Sequence, residues 1–295
     1  IESQLPMPLN KFPEKAGRIM VSRERNSYKD EFTSEIFENT KISGQLGNSP
    51  LVIEVITPEA DLARWATFFD VEGDVPSIAM LLRLDAMMLG NTPISMNEVA
   101  LNLRPNYINL ALDGDDLAGR VERIGQGPLV IELEKIVLPE GDDWLDPPQS
   151  DLLIDVNPGE FPSARIDINE LHRGDVIYRN LHAKLVSGDN RLDASDLSFV
   201  RDEQLFEGEL SWVSRNSEIL TAINLRAEGP ELGRFLRVNE DEPLLEAQSG
   251  KFFASLTWEG SPLGFSALTS DGVLQLNLKK GRFLDLGNSA EVLRL

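Results

Sequence analysis

The residue types that usually carry catalysis are few in this sequence, and their spacing matches no common catalytic motif. The two histidines, His172 and His182, do not form an H-E-x-x-H pair. Cysteine is absent, which excludes thiolate nucleophiles, cysteine-based zinc sites and disulfides. The nucleophile elbow G-x-S-x-G and the phosphate-binding loop G-x-x-x-x-G-K-S/T are also absent. We therefore predict that the chain is not an enzyme, and we interpret both histidines as structural.

Three acidic clusters, at residues 113–116, 140–143 and 239–242, are dense in the oxygen ligands that calcium prefers. None has the spacing of an EF-hand loop with its central glycine and terminal glutamate. With 49 acidic residues in the chain, carboxylate pairs suited to glycoside hydrolysis arise by chance and carry no information. We predict solvated turns at these clusters, no specific metal site and no cofactor.

Apolar side chains at every second position are the remaining candidates for a function. They recur in four segments of the C-terminal half, at residues 206–212, 219–225, 252–258 and 273–279, with polar side chains between them. This period puts the apolar residues of each segment on one face of a β-strand. The candidate functional residues of these faces are Leu210, Trp212, Ile223, Leu225, Leu256, Trp258, Leu274, Leu276 and Leu278.

The elements that position these residues are predicted to be strands of an antiparallel sheet, because only one face of each strand is apolar. Short turn sequences such as Asp113-Gly114 and Ser270-Asp271-Gly272 separate the strands. From Arg165 onwards the chain is typical of a long meander of hairpins. The predicted class is all-β.

Two short segments with helical spacing interrupt the strands. Residues 61–69 and 231–238 each follow a proline and share the order acid, Leu, small residue, Arg, aromatic. We expect them to be helices that cap the sheet through Trp65, Phe68, Phe235 and Leu236. Their similarity, with a second match between Arg83-Leu84-Asp85 and the segment at 165–167, indicates a repeated unit. The predicted domains are an N-terminal segment of further strands at 1–60, a first unit at 61–230 and a second, truncated unit at 231–295.

Composition excludes several classes of protein. The 295 residues are 41% hydrophobic and carry a net charge of −21, so phosphate backbones and anionic lipid surfaces would repel the chain. We therefore predict no nucleic-acid partner. No apolar run is long enough to span a membrane as a helix. The first residue is Ile, and we interpret the sequence as an internal piece of a longer protein.

The dry face of the predicted sheet needs a cover, which a second sheet, curling of the same sheet or a bound lipid would each provide. A resemblance to a known family favours the bound lipid. Residues 256–265 are L-T-W-E-G-S-P-L-G-F, residues 270–276 are S-D-G-V-L-Q-L and residues 280–285 are K-G-R-F-L-D. In this order and spacing they resemble the YhdP family of AsmA-like proteins of the Gram-negative envelope. The resemblance covers residues 165–295 and is more diffuse over 60–165.

The resemblance implies a long protein anchored in the inner membrane, with a periplasmic body of curled antiparallel sheet that forms an apolar groove. Such bridge-like proteins are thought to carry phospholipid between the inner and outer membranes without catalytic residues. On this reading the chain is a periplasmic segment of the bridge, and the nine candidate residues line its groove and contact phospholipid acyl chains. The two membranes are reached through missing parts of the full-length protein, and its partner proteins are not implied. The alternative is a structural β-repeat whose apolar face is only a packed core.

Overall fold

A computed structural model describes residues 18–22, 30–37, 40–46, 51–57, 59–61, 77–89, 92–138, 151, 153–154, 156–174, 176–215, 218–229, 232, 237–239, 242–243, 245–246, 249–280 and 282–283. The chain forms two compact units, Ile1–Leu138 and Pro139–Leu295. The domain boundaries predicted at residues 60 and 230 rest on sequence repeats and stay a prediction.

Twelve strands are described in the first unit. They are β1 (Arg18–Ser22), β2 (Asp30–Phe37), β3 (Thr40–Leu46), β4 (Leu51–Ile56), β5 (Glu59–Asp61), β6 (Ile78–Arg83), β7 (Ala86–Leu89), β8 (Thr92–Ser95), β9 (Glu98–Arg104), β10 (Tyr107–Asp113), β11 (Leu117–Ile124) and β12 (Leu129–Leu138). Nine of them form one sheet in the order β1-β2-β3-β4-β6-β9-β10-β11-β12, and β5, β7 and β8 form a small second sheet.

The apolar face of the large sheet in the first unit is buried. Alternation places Val55, Leu82, Val99 and Leu112 in one cross-strand row. The next row contains Met80, Leu101, Leu110 and Val121. All eight side chains are at most 9% exposed, so this face is a packed core.

Eleven strands are described in the second unit. They are β13 (Ala164–Arg173), β14 (Val176–Gly188), β15 (Arg191–Arg201), β16 (Gln204–Arg215), β17 (Glu218–Gly229), β18 (Arg237–Asn239), β19 (Glu242–Pro243), β20 (Leu245–Glu246), β21 (Ser249–Glu259), β22 (Asp271–Lys279) and β23 (Arg282–Phe283). Seven form an antiparallel sheet in the order β13-β14-β15-β16-β17-β21-β22. Two short 3₁₀ turns, Pro158–Glu160 and Pro262–Gly264, accompany it.

The all-β prediction is confirmed, and the described residues contain no α-helix. The antiparallel prediction is right for most strand pairs and wrong for β4 with β6 and β5 with β7, which are parallel. A parallel pair needs a crossover connection rather than a tight hairpin. Residues 57–77 provide that length between β4 and β6.

The two predicted helices fall largely outside the described residues. Asp61 ends strand β5, and residues 62–69 are not described. Arg237 and Val238 begin strand β18, so the helix predicted to end at residue 238 is wrong there. The prediction rested on Leu232, Phe235 and Leu236, and a pattern over so few residues does not separate a helix from a strand. Residues 231 and 233–236 lie outside the described part.

The match between residues 83–85 and 165–167 does not correspond to equivalent structure. Arg83 is the last residue of β6, whereas Arg165 is the second residue of β13. In the part of the chain that the structure describes, no helix is long and apolar enough to cross a membrane.

Candidate functional site

Strand register brings all nine candidate residues to one face of the second unit's sheet, called the apolar face below. Antiparallel pairing joins them into rows that cross the strands. From one end of the strands to the other, the rows are Leu192–Trp212–Thr221–Trp258, Ala194–Leu210–Ile223–Leu256–Gly272, Leu197–Gly208–Leu225–Ala254–Leu274, Phe199–Phe206–Ala227–Phe252–Leu276 and Arg201–Gln204 with Gly229–Gly250–Leu278.

The row of tryptophans is covered by the chain itself. Phe161 contacts Trp212 with 5.5 Å between ring centroids, and Phe265 meets Trp258 edge-on at 5.1 Å. Trp212 is 1% exposed and Trp258 is 4% exposed. The sequence predicted both tryptophans as lining of an open groove, but they offer no open surface, because these aromatic rings cover them.

A polar contact fixes the segment that carries Phe265. Asp151 accepts hydrogen bonds from the Ser261 backbone N–H, at 2.7 Å, and from the Ser261 hydroxyl. The Trp258 indole N–H donates to the Ser261 carbonyl at 2.8 Å, and the Thr221 hydroxyl donates to the Gly260 carbonyl at 2.7 Å. We call the Asp151–Ser261 contact the latch.

The latch explains the W-x-G-S-P-L-x-F motif as structural. Ser261 caps the 3₁₀ turn Pro262–Gly264 by accepting from the Leu263 N–H. A Cβ at Gly264 would lie 2.7 Å from the Asp151 carboxylate, so a larger residue there would push the latch apart. The sequence analysis missed Asp151, because no local pattern links it to a serine 110 residues later.

The segment that carries Phe161 is fixed on the β14–β15 hairpin. The Asn157 side chain caps the turn Pro158–Glu160 by accepting from the Gly159 N–H at 3.0 Å. The Ser187 hydroxyl donates to the Gly159 carbonyl at 3.1 Å. A Cβ at Gly159 would lie 2.3 Å from the Asp189 carbonyl oxygen, so the two backbones touch.

Away from the tryptophans, the apolar face is partly open. Leu210, Ile223, Leu225 and Leu256 are half-buried, and Leu274 on strand β22 is 48% exposed. Leu276 and Leu278 are also half-buried. This contrasts with the first unit, where the equivalent alternating face is buried.

An aromatic row crosses the sheet at the opposite end from the tryptophans. Tyr178 and Phe199 meet edge-on at 5.5 Å, Phe199 stacks on Phe206 at 5.1 Å, and Phe206 meets Phe252 edge-on at 6.0 Å. Leu232 packs against this row through Phe206 and is 1% exposed. Such ring pairs stabilise a face beyond the area they bury.

The reverse face of the same strands is ionic. Its ion pairs include Arg226 with Glu207, Lys251 with Glu228 and Arg191 with Asp193. The hydrogen bond from Arg191 is the main cause that lowers the pKa of Asp193 below its usual value, and Ser211 adds to it. The sheet therefore has one apolar and one charged surface.

Both histidines pair with carboxylates on β13. His182 Nδ1 lies 2.6 Å from Asp167, its cross-strand partner, and His172 Nε2 lies 3.0 Å from Glu170. The His172 contact is the main cause that lowers the pKa of Glu170, to which Arg179 contributes. Neither pair adjoins a serine or other nucleophile in a described hydrogen bond.

The first acidic cluster forms a turn. Asp116 accepts from the Ser95 N–H at 2.9 Å and so ties the β10–β11 turn to strand β8. No group of three or more histidine, aspartate or glutamate side chains within the described ranges is placed to hold a metal ion. The cluster at 140–143 and residues 240–241 of the third cluster lie outside those ranges.

Comparison with known proteins gives one result. A family model described as YhdP protein matches residues 1–295. No curated protein and no solved structure matches the chain.

Proposed function

The chain belongs to the YhdP family, and on that premise we propose that it is a periplasmic segment of a bridge-like protein that conducts phospholipid along its apolar face. In the full-length protein this segment would be tied to the inner membrane and would pass lipid towards the outer membrane. The observation that carries the proposal is the half-open apolar face of the second unit, which is backed by a charged reverse face.

The physical basis is burial of acyl chains against side chains that the protein leaves partly exposed. Each methylene that moves from water onto such a face gains about 0.8 kcal/mol. Leu210, Ile223, Leu256 and their neighbours in the next rows present similar surfaces from strand to strand. Because neighbouring positions are nearly equivalent, a lipid can move across the strands without a large barrier.

The length of the strands sets the width of the apolar face. Strand β16 extends about 27 Å from Gln204 to Trp212 at about 3.4 Å per residue. The acyl chains of one leaflet occupy about 15 Å, half of the hydrocarbon core. The face is therefore wide enough for acyl chains to lie along the strands, with the covered tryptophans as one wall.

The test compares Leu276→Asp with Gln275→Asp, neighbours on opposite faces of strand β22. Leu276 is half-buried and Gln275 is exposed. A carboxylate at 276 imposes a desolvation cost of several kcal/mol on each passing chain. We expect Leu276→Asp to abolish capture of a photo-crosslinkable phospholipid, with a melting temperature close to that of Gln275→Asp, which should retain capture.

The scaffold alternative predicts the reverse. If the apolar face is only a core, an aspartate at 276 is buried without a partner and removes several kcal/mol of a total near 5–15 kcal/mol. Unfolding of Leu276→Asp, together with no lipid captured by the unmodified chain, would refute the conduit.

A further inference from the structure

One charged side chain lies on the apolar face. Arg201 pairs with Gln204 two residues beyond the Phe199–Phe206 pair, so its side chain leaves the sheet on the same side as these rings. Apart from the bulge between Ala194 and Leu197, it is the only ionisable residue on this face among the described residues of β15, β16, β17, β21 and β22. A cation at the rim of an apolar surface needs an explanation.

The contacts of Arg201 leave part of its hydrogen-bonding capacity unused. Its guanidinium carbon lies 5.8 Å from the centre of the Tyr178 ring, within cation–π range. Its Nε is buried and makes no hydrogen bond, and the Asp202 carboxylate is 3.5 Å from that atom. The neighbouring Gln204, in contrast, donates to the carbonyls of Glu228, at 3.0 Å, and Leu205.

We infer that Arg201 binds the phosphate of a phospholipid whose acyl chains lie on the aromatic row and the leucine rows beyond it. This inference rests on the proposed function and adds a headgroup contact to it. The planar guanidinium fork matches phosphate oxygens, and such charge-assisted hydrogen bonds are among the stronger ones in proteins.

The position of Arg201 suits this role. It lies at the end of β15 that is opposite the covered tryptophans, and its side chain is 25% exposed. With the phosphate there, acyl chains of about 15 Å reach past Phe206 towards Leu210 but not to Trp212, about 27 Å away. The headgroup then stays in water while the chains are buried.

Charge complementarity favours an anion at Arg201 and at no other described position of this face. The chain carries a net charge of −21, which repels a phosphate in general. The carboxylate of Asp202 is near the buried Nε but accepts no hydrogen bond from it, so this ion pair leaves the guanidinium open to competition from a phosphate. Asp202 is therefore a competitor for the same guanidinium.

The experiment measures binding of two fluorescent lipids with identical acyl chains, phosphatidylglycerol and diacylglycerol, to the whole chain. We expect the unmodified chain to prefer phosphatidylglycerol. Arg201→Gln should weaken phosphatidylglycerol binding about tenfold, the loss of one charged hydrogen-bond contact, and leave diacylglycerol binding within about twofold. The matched control is Arg226→Gln on the charged face, which should change neither affinity.

A second variant should strengthen phosphatidylglycerol binding and removes no packed side chain. Asp202→Asn removes the competing carboxylate, and asparagine tolerates the positive φ of 49° at this position. We expect phosphatidylglycerol to bind about threefold more tightly, with diacylglycerol unchanged. Glycerol phosphate without acyl chains should not displace the lipid at millimolar concentration.

Three results would overturn the inference. If phosphatidylglycerol binding is unchanged in both Arg201→Gln and Asp202→Asn, Arg201 does not contact the headgroup. That result would not contradict the proposed lipid conduit. Displacement by glycerol phosphate would show a free-phosphate site instead of a lipid site. Failure of the unmodified chain to bind either lipid would refute the proposed function together with this inference.

Discussion

Asp193 shows how single residues on the charged face contribute to stability. Its carboxylate is held by the Arg191 Nε–H at 2.6 Å, which lowers its pKa below the usual 3.8. A carboxylate with a lowered pKa in the folded state stabilises the fold above its unfolded pKa, and this contribution is lost as the pH falls through the folded pKa. The loss is therefore confined to the range below about pH 4.

We expect Asp193→Asn to have a lower melting temperature than the unmodified chain at pH 7, and this difference to shrink as the pH falls below about 4. The effect is modest, because the side chains of this pair are 56% and 40% exposed and solvent screens them. Thermal melts between pH 7 and pH 3 measure it. Asp189→Asn, on the exposed turn before β15, is the control, and an equal pH dependence in both variants would contradict the assignment.

The latch is the second residue-scale contact with a measurable effect. Asp151→Ala leaves the N–H and hydroxyl of the buried Ser261 without their acceptor. Each buried donor that loses its acceptor costs about 1–3 kcal/mol, so we expect a loss of about 2–6 kcal/mol in the free energy of unfolding.

Urea denaturation followed by tryptophan fluorescence measures this loss, since Trp258 donates to Ser261. The control is Glu259→Ala, an exposed position beside the same turn. If Asp151→Ala unfolds at the same urea concentration as Glu259→Ala, the latch does not stabilise the fold.

Alternation along single strands was enough to predict which residues share the apolar face, because side chains in a strand alternate with a fixed period. Alternation does not indicate how exposed a side chain is. The prediction therefore placed Trp212 and Trp258 in the same lining as Leu274, although Phe161 and Phe265 cover the two tryptophans. The latch and Arg201 were missed for a related reason. Both depend on contacts between strands or segments that no window of sequence contains.

At the scale of elements, Gly208 sets the contact between strands β16 and β17. A Cβ at this position would lie 1.9 Å from the Asn224 carbonyl oxygen and 2.9 Å from Leu225. Gly208→Ala therefore forces the two strands apart. We expect a loss of about 1–3 kcal/mol, as for other overpacked sites.

The matched control is Gly188→Ala at the end of β14, where the nearest atom would be 3.9 Å from the new Cβ. Chemical denaturation of both variants measures the difference. Replacing glycine by alanine lowers the entropy of the unfolded chain, so Gly188→Ala should not lose stability. A loss in Gly188→Ala as large as that in Gly208→Ala would therefore contradict the role of the contact with Asn224.

Element types were predicted more reliably than their pairing. The strong alternation in β16, β17, β21 and β22 identifies them as strands. The same pattern carries no information on whether β4 joins β6 in parallel, because the side-chain period is the same in both arrangements. The predicted helix at 231–238 was wrong at Arg237 and Val238, where spacing over so few residues does not separate helix from strand.

At the scale of the whole molecule, the net charge bears on how the protein responds to calcium. The net charge of −21 attracts calcium weakly to many carboxylates, but no described group of acidic residues has ligand geometry. We expect micromolar calcium to leave the melting temperature unchanged, and magnesium at the same ionic strength to behave identically. A rise of several degrees with calcium alone would reveal a specific site.

The latch also has a consequence for how the second unit folds. Strands β13 to β17 pair with their immediate neighbours in sequence, so each hairpin closes a short loop and can form early. The latch instead closes a loop of 110 residues. The chain loses the entropy of this loop before the Asp151–Ser261 hydrogen bonds can stabilise the fold. Folding should therefore proceed from hairpin to hairpin, and the segments that cover the tryptophan row should dock last. Hydrogen exchange should accordingly label the Ser261 amide through partial openings that leave the hairpin amides protected.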